Sequence, residues 1–409
     1  MSASEPLIPE LPALEAVLKW YDARRRLPFQ GMKVLATQHV LGSTLSLFRA
    51  VEICGVAAAD IHLVAKAYSS NAFALEAAMA RGYRIFGGTP MTTDSSPYEE
   101  ELARAVREAV HHLSASRMTR RAGDNAHNSV LIVDDGGLSF DTLLAGHPEL
   151  AGLSCGVEQT TRGIRSLSVR DLDIPIANVG RCQAKLEVEA GLIAESMVDN
   201  LALEIEKLSR MAVPIGGRVL LVGYGAVGER VAEALRLRHY EVAVSEDSPS
   251  RLARAAAAGL PILPLPAALK GRNIICGATG TSWFPVDWID LVEPGSLLVN
   301  MGSSDIEFAA WRLRPIGRPL GPGRDRRVPW AQVYRIDRSQ GSVWLAKGGF
   351  PVNHTGGVDP IDPMKIQLTR ALLLAGALEA VIAPKPGLFL LPDVVQELII
   401  STSLEPARK

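Results

Sequence analysis

Three sets of residues in the 409-residue sequence have the types and spacing to do chemistry. The first is Gly223-Tyr224-Gly225-Ala226-Val227-Gly228, placed between an apolar run at 218–223 and a helical pattern that continues from Glu229. In such a motif Gly223 permits a tight turn, Gly225 lets backbone approach a pyrophosphate, and Gly228 lets helix pack on strand. The phosphates then face a helix N-terminus. A second apolar run, 241–247, carries Glu246, whose carboxylate can accept hydrogen bonds from a ribose 2′-hydroxyl and repel a 2′-phosphate. The pattern predicts a dinucleotide site and favours NAD over NADP; a glycine turn that binds nothing, and a site for FAD or another nucleotide, are the alternatives it leaves open.

The second set comprises His39, which ends the run MKVLATQHV, and Asp134-Asp135, which end the run SVLIVDDGG at 129–137. An imidazole and a carboxylate at strand ends can exchange protons with a ligand, although a strand-end histidine and a loop-initiating acidic pair would look the same. The third set is Lys185 and Glu189, one helical turn apart, which by spacing alone read as ordinary i,i+4 charges on a solvated face. Two further runs, 275–282 and 297–305, end strands in small residues, which makes Thr279 and Asn300 candidate cofactor contacts unless these are plain turns. Cys54, Cys155, Cys182 and Cys276 are scattered without a C-x-x-C, so neither a disulfide framework nor a thiolate metal site is indicated.

The elements that must position these groups read as alternating strands and helices. From Met32 a β-branched run, a helical run and a second strand-like run (DIHLVAKAYSS) give a βαβ rhythm. It continues through helices at 71–81 and around 99–113. The first third is therefore α/β with a parallel sheet. Apolar residues at 188, 192, 198, 201, 205 and 208 mark one buried face of a long connecting helix, which Pro214, Gly216 and Gly217 stop. Alternating strands and helices then run to about Asp305. The arginine clusters at 24–26, 117–121 and 324–327 read as solvated faces.

Composition bounds the partners. Lys+Arg at 43 against Asp+Glu at 44 gives a net charge of -1, so no overall field recruits nucleic acid or an anionic membrane. The start is acidic and polar rather than leader-like, and the most apolar later stretch, 371–383, falls short of the roughly 20 residues a bilayer span needs. A soluble cytoplasmic protein of two or three domains, at roughly 150 residues each, is expected.

Several stretches together resemble the S-adenosylhomocysteine hydrolase family, in that family's order: QHV near 39, IVDDGG at 132–137, EQTTRG at 158–163, GYGAVG at 223–228, VNMGSSDIE at 299–307 and NHTGGVDP at 353–360. The resemblance covers nearly the whole chain. It implies an α/β fold of two lobes, an α/β substrate domain (1–190) and a Rossmann-type NAD-binding domain (191–347) joined by long hinge helices. A C-terminal segment (348–409) would return to the substrate domain, and the chain would assemble as a homo-oligomer, a dimer or tetramer. The implied chemistry is transient oxidation of a ribose 3′-hydroxyl by NAD. That acidifies the C4′ hydrogen, lets the 5′-thiol leave and water add, and ends with reduction back.

By the same resemblance Asp135 aligns with the family's carboxylate, His39 with the histidine that protonates the departing thiolate, and Lys185 and Glu189 with the lysine and aspartate of the connecting helix. Gln159, Thr160, Asp359 and Met364 fall at substrate positions. Thr160 and Thr161 align with threonines reaching cofactor and ribose, and Asn353 is placed with the cofactor contacts. The chain departs from the pattern in several places. Gln159 replaces a glutamate and cannot take a proton; Ser303 and Asp359 replace histidines, with His354 as a candidate spatial substitute. Leu41 and Ser43 replace hydroxyl-bearing adenine contacts, which suggests a changed ligand. The sequence stops at Lys409 without the family's basic, tyrosine-bearing tail, from which a looser cofactor is expected. Three readings stay open: a nucleoside-thioether hydrolase, an NAD oxidoreductase or lyase on another nucleoside or sugar, and a non-catalytic NAD-binding regulatory homologue.

Overall fold

The computed structural model describes residues 8–89, 95–115, 129–320, 328–354, 356–357, 359–382 and 386–404. The arginine clusters at 117–121 and 324–327 lie outside them. Strands are numbered in chain order: β1 Lys33–Gln38, β2 Ile61–Ala65, β3 Arg84–Gly87, β4 Val130–Asp134, β5 Ser154–Glu158, β6 Pro175–Asn178 and β7 Arg218–Val222. They continue with β8 Glu241–Ser245, β9 Ile274–Gly277, β10 Leu297–Asn300, β11 Arg318–Leu320, β12 Val333–Arg338, β13 Gly341–Leu345 and β14 Gly387–Phe389.

The chain divides into two units, one made of 1–89, 101–189 and 357–409, the other of 90–100 and 190–356. This differs from the expected division in two ways. The C-terminal return begins at 357 rather than 348, and 90–100 belongs with the second unit. The cause of the latter is local: the fully buried Arg314 pairs with Asp305 at 2.9 Å and donates to the Ser96 carbonyl, while Asp305 accepts the Tyr98 N–H.

The first unit contains a wholly parallel sheet in the order β14-β6-β5-β4-β1-β2-β3. Strands β1, β2, β4 and β5 are buried at every position, as expected of β-branched runs covered on both faces. The helix Pro363–Ile382 is apolar nearly all round because it is buried on most sides. It approaches the sheet so closely that a side chain at Gly376 would meet the Val157 Cγ2 at 2.7 Å.

The second unit has a sheet in the order β11-β12-β13-β10-β9-β7-β8, parallel from β13 to β8, with β12 antiparallel to both β11 and β13 at the other edge. The long helix appears as Ala190–Arg210. It is preceded by one wide π-type turn, Lys185–Glu189, where the sequence pattern predicts regular helix. No helix of the described residues is long and apolar enough to cross a membrane.

Candidate active site

In an open parallel sheet, ligands bind beyond the carboxyl ends of the strands where the strand order reverses. In the first unit the chain runs from β1 outward to β2 and β3, then returns to place β4 on the other side of β1. His39 follows β1 and Asp135 follows β4, so the two residues named from sequence stand on either side of that switch point. Lys66 follows β2 and Gln159 follows β5 at the same edge.

These four side chains form one bonded set. His39 Nε2 lies 3.3 Å from Asp135 Oδ2, Lys66 Nζ lies 2.7 Å from Asp135 Oδ1, and the Gln159 amide donates to Oδ2 at 2.5 Å. Gln38 in turn donates to Gln159 Oε1 at 3.3 Å, and Ser69 Oγ sits 2.5 Å from His39 Nδ1. Burial alone would raise the Asp135 carboxyl, but the Lys66 ammonium and His39 outweigh it and hold it well below the usual carboxylate range. Burial lowers His39, and the pull of Asp135 does not fully restore it.

At neutral pH the pair is therefore a carboxylate facing a neutral imidazole. Since the carboxylate only accepts, Nε2 carries the proton and Nδ1 accepts from Ser69. Lys66 carried no signal in the sequence beyond being a lysine at the end of an otherwise apolar strand.

The loops bearing these residues are fixed by two buried carboxylates. Glu158 accepts N–H groups from Gly136, Gly137 and Thr160 and the Thr160 hydroxyl, and Asp134 accepts those of Asp135, Ser139 and Phe140. Burial pushes Asp134 up to about 6 and Glu158 well above its ordinary value. A Cβ at Gly163 would meet the Glu158 carboxyl carbon at 2.4 Å, so this position is kept as glycine. Thr160 caps the following helix through the Gly163 N–H at 2.9 Å. Its hydroxyl thus also orders the loop, and Thr161 is exposed.

Lys185 and Glu189 pair at 2.8 Å with side chains only 15% and 8% exposed, which excludes the solvated-face alternative. The wide turn between them turns both inward. Arg370, buried on the Pro363–Ile382 helix, lies within the fields of Asp359, Glu189 and Asp135. Its Nε donates to Ser43 Oγ at 3.2 Å, and the Ser43 N–H donates to Asp359 Oδ2 at 3.0 Å. Met364 packs against the apolar core of this unit.

In the second unit the order again reverses, between β7 and β9, and Gly223 stands there. Its φ is +97°, and a Cβ would meet the Ala278 carbonyl at 2.6 Å. A Cβ at Gly228 would meet the Gly223 carbonyl at 2.2 Å, whereas one at Gly225 would meet nothing within 4 Å. Two glycines are thus required by the fold, and the third leaves open space before the Ala226–Leu237 helix, which begins with Ala226 and Val227. That is the cradle a pyrophosphate needs.

Glu246 accepts the N–H groups of Tyr224, Asp247 and Ser248, and these outweigh burial to lower its carboxyl. Arg251 lies 3.5 Å from Glu246 Oε2. Asn353 is 4% exposed, and its Oδ1 has no partner among the described residues, so it can accept an N–H from a bound group.

Two expected cofactor contacts have partners within their own loops. Both amide hydrogens of Asn300 go to carbonyls of Ser304 and Gly349, and its Oδ1 accepts the Gly302 N–H. The Thr279 hydroxyl is held by Glu307 at 2.8 Å; Glu307 also takes the Gly280 N–H, and burial pushes it up to about 7. His354 belongs to the second unit and Asp359 to the first.

No protein-family model matches the sequence. An uncharacterized protein of Mycobacterium tuberculosis is 28% identical over 379 residues, 91% of this chain and 68% of that protein. An adenosylhomocysteinase of Sulfurisphaera tokodaii is 25% identical over 346 residues, 83% of this chain and 74% of its own length. An S-inosyl-L-homocysteine hydrolase of Methanopyrus kandleri is 26% identical over 361 residues, 84% and 81% of the two chains. Among solved structures, a dipicolinate synthase chain from Bacillus halodurans aligns with a TM-score of 0.40 and 13% identity over 73% of this chain and 92% of that one. The sequence is distantly related to adenosylhomocysteinases across most of its length.

Proposed function

We propose that the protein is an NAD-dependent enzyme that cleaves a nucleoside thioether related to S-adenosylhomocysteine, through transient oxidation of the ribose 3′-hydroxyl. The observation that carries this reading is that one unit holds both the His39–Asp135 pair and the Lys185–Glu189 pair, with Asp135 and Glu189 both within the field of Arg370. The two pairs supply the proton-handling groups that both halves of such a reaction need. The open face at Gly225, the carboxylate at Glu246 and the unpartnered Asn353 carbonyl fit a nicotinamide dinucleotide. When bound, that cofactor supplies a hydride acceptor for the sugar hydroxyl and a donor for the return step.

The chain's own residues divide the remaining work. Glu189, held by Lys185, accepts the proton of the 3′-hydroxyl. His39 carries the proton exchanged at C4′ and at the leaving sulfur, and Asp135 stabilises the imidazolium formed when it does. Gln159 orients Asp135 without competing for the proton. A second reading, with a different base on the nucleoside, is favoured by Leu41 and Ser43, which stand where the resemblance has hydroxyl-bearing adenine contacts, and by Asp359, which stands where it has a histidine.

The test is to add nucleoside thioethers to cofactor-loaded protein, following near-ultraviolet absorption of reduced nicotinamide and release of thiol. Wild type is expected to show both. Asp135→Asn is expected to retain the absorption and to lose thiol release by about 100-fold or more. Thiol release at the wild-type rate in Asp135→Asn, or no reduced nicotinamide with any thioether, refutes the proposal.

A further inference from the structure

Gln38, the last residue of β1, is fully buried after Val34, Leu35, Ala36 and Thr37. An amide at such a place costs free energy unless both its ends are paired, and only one is. Its Nε2 donates to Gln159 Oε1 at 3.3 Å, while its Oε1 is buried and has no hydrogen-bond partner among the described residues. An apolar side chain of the same length would fill the space without an orphaned oxygen, so the core itself gives no reason for an amide here. The one bond that the Gln38 side chain makes leads into the candidate site, because the Gln159 amide donates in turn to Asp135 Oδ2 at 2.5 Å.

We propose that Gln38 is a positioning residue for His39: by holding the Gln159 amide in one orientation, it keeps a neutral donor on the same Asp135 oxygen that faces His39 Nε2. The inference rests on the proton-transfer role given to His39 above. The direction of the chain follows from the carboxylate. Asp135 only accepts, so Gln159 turns its NH2 toward Asp135 and its carbonyl away, and Gln38 supplies the donor that this carbonyl needs. Asp135 Oδ2 is shared between Gln159 and His39, at 2.5 and 3.3 Å, and Oδ1 takes Lys66 at 2.7 Å. Each donor on a carboxylate spreads its charge, so the pull of Asp135 on an imidazolium is weaker with Gln159 in place than without it. His39 also faces the Ser69 hydroxyl on Nδ1, the Tyr68 ring and the charges of Lys66 and Arg370. Behind Asp135 stand Asp134 and Glu158, each bound to loop N–H groups. None of these groups bonds to the Gln38 side chain, so its loss reaches His39 through Gln159.

The experiment is titration of the histidines of the full chain by nitrogen NMR, with His39 assigned from a His39→Gln variant, beside the pH profile of thiol release from nucleoside thioethers. Gln38→Met keeps the volume and exchanges the orphaned Gln38 oxygen for an orphaned Gln159 oxygen. Its Tm is expected to hold, while His39 titrates higher by about half a unit, roughly threefold in proton affinity. The acid limb of thiol release, where neutral His39 is lost, is expected to move up with it. Gln38→Leu is expected to behave alike and decides the matter if Gln38→Met fails to fold. Gln159→Met removes the donor itself and is expected to shift His39 at least as far, and the double variant no further than Gln159→Met alone, because Gln38 acts only through that amide. An unmoved His39 titration in folded Gln38 variants, with or without a fall in Tm, overturns the proposal, as do single shifts that add in the double variant. Thiol release with His39 unmoved sinks the positioning role and leaves the functional reading intact. A shifted His39 titration with no thiol release from any thioether sinks the functional reading and leaves the coupling of Gln38 to His39 standing.

Discussion

Replacing Lys66 by methionine removes one ammonium and leaves the Asp135 carboxylate buried beside a neutral imidazole. The two charges lie 2.7 Å apart with side chains each 7% exposed, so this is a buried pair and not a surface one. Removing one partner of such a pair costs about 3–5 kcal/mol. For a unit of this size that corresponds to a fall in Tm of roughly 6–20 °C. In the wild type the Asp135 carboxyl titrates below its unfolded value, so its contribution is fully present above about pH 4 and is lost only as pH falls through the folded value.

Without Lys66, burial is opposed by His39 and the flanking hydrogen bonds alone, and the folded carboxyl rises. Protonation then relieves the variant, so its deficit is expected to be largest near about pH 8 and to shrink toward about pH 5. Melting of wild type and variant by circular dichroism at both ends of that range measures this. A deficit below about 1 kcal/mol, the range of exposed pairs, or one equal at both ends, refutes the assignment of Lys66 as the group that keeps Asp135 ionised.

Two further expectations concern the second unit. Gly225→Ala is expected to leave Tm unchanged, since its Cβ meets nothing within 4 Å, and to weaken NAD binding about tenfold or more by calorimetry. Gly228→Ala, whose Cβ would meet a backbone oxygen at 2.2 Å, is expected to lower stability by about 1–3 kcal/mol without any ligand present; the reverse pattern would remove Gly225 from the cofactor site. Glu307 carries a raised carboxyl near 7, so it favours the protonated fold, and its share of stability declines as pH rises from its unfolded value through about 7. Denaturant unfolding across that range is expected to show this slope in wild type and its loss in Glu307→Gln; an identical slope would assign the pH dependence to another group.

What could be read in the sequence follows from how far each group's partners lie along the chain. The glycine motif is legible because strand, turn and helix are contiguous, and the βαβ rhythm is legible because buried parallel strands are continuous apolar runs. His39 and Asp135 could be named separately, since each ends such a run. That they meet is a property of the return crossover that sets β4 beside β1, which no local pattern encodes.

Lys66 is silent in the sequence for the same reason: only the sheet order brings the end of β2 to Asp135. Thr160, Thr279 and Asn300 raise the opposite difficulty. Each stands at the expected ligand-binding edge and also bonds to a buried acceptor or a carbonyl nearby. Short polar residues at strand ends stabilise turns and bind ligands by the same hydrogen bonds. Only the full set of partners, which the fold and not the local sequence supplies, distinguishes the two uses.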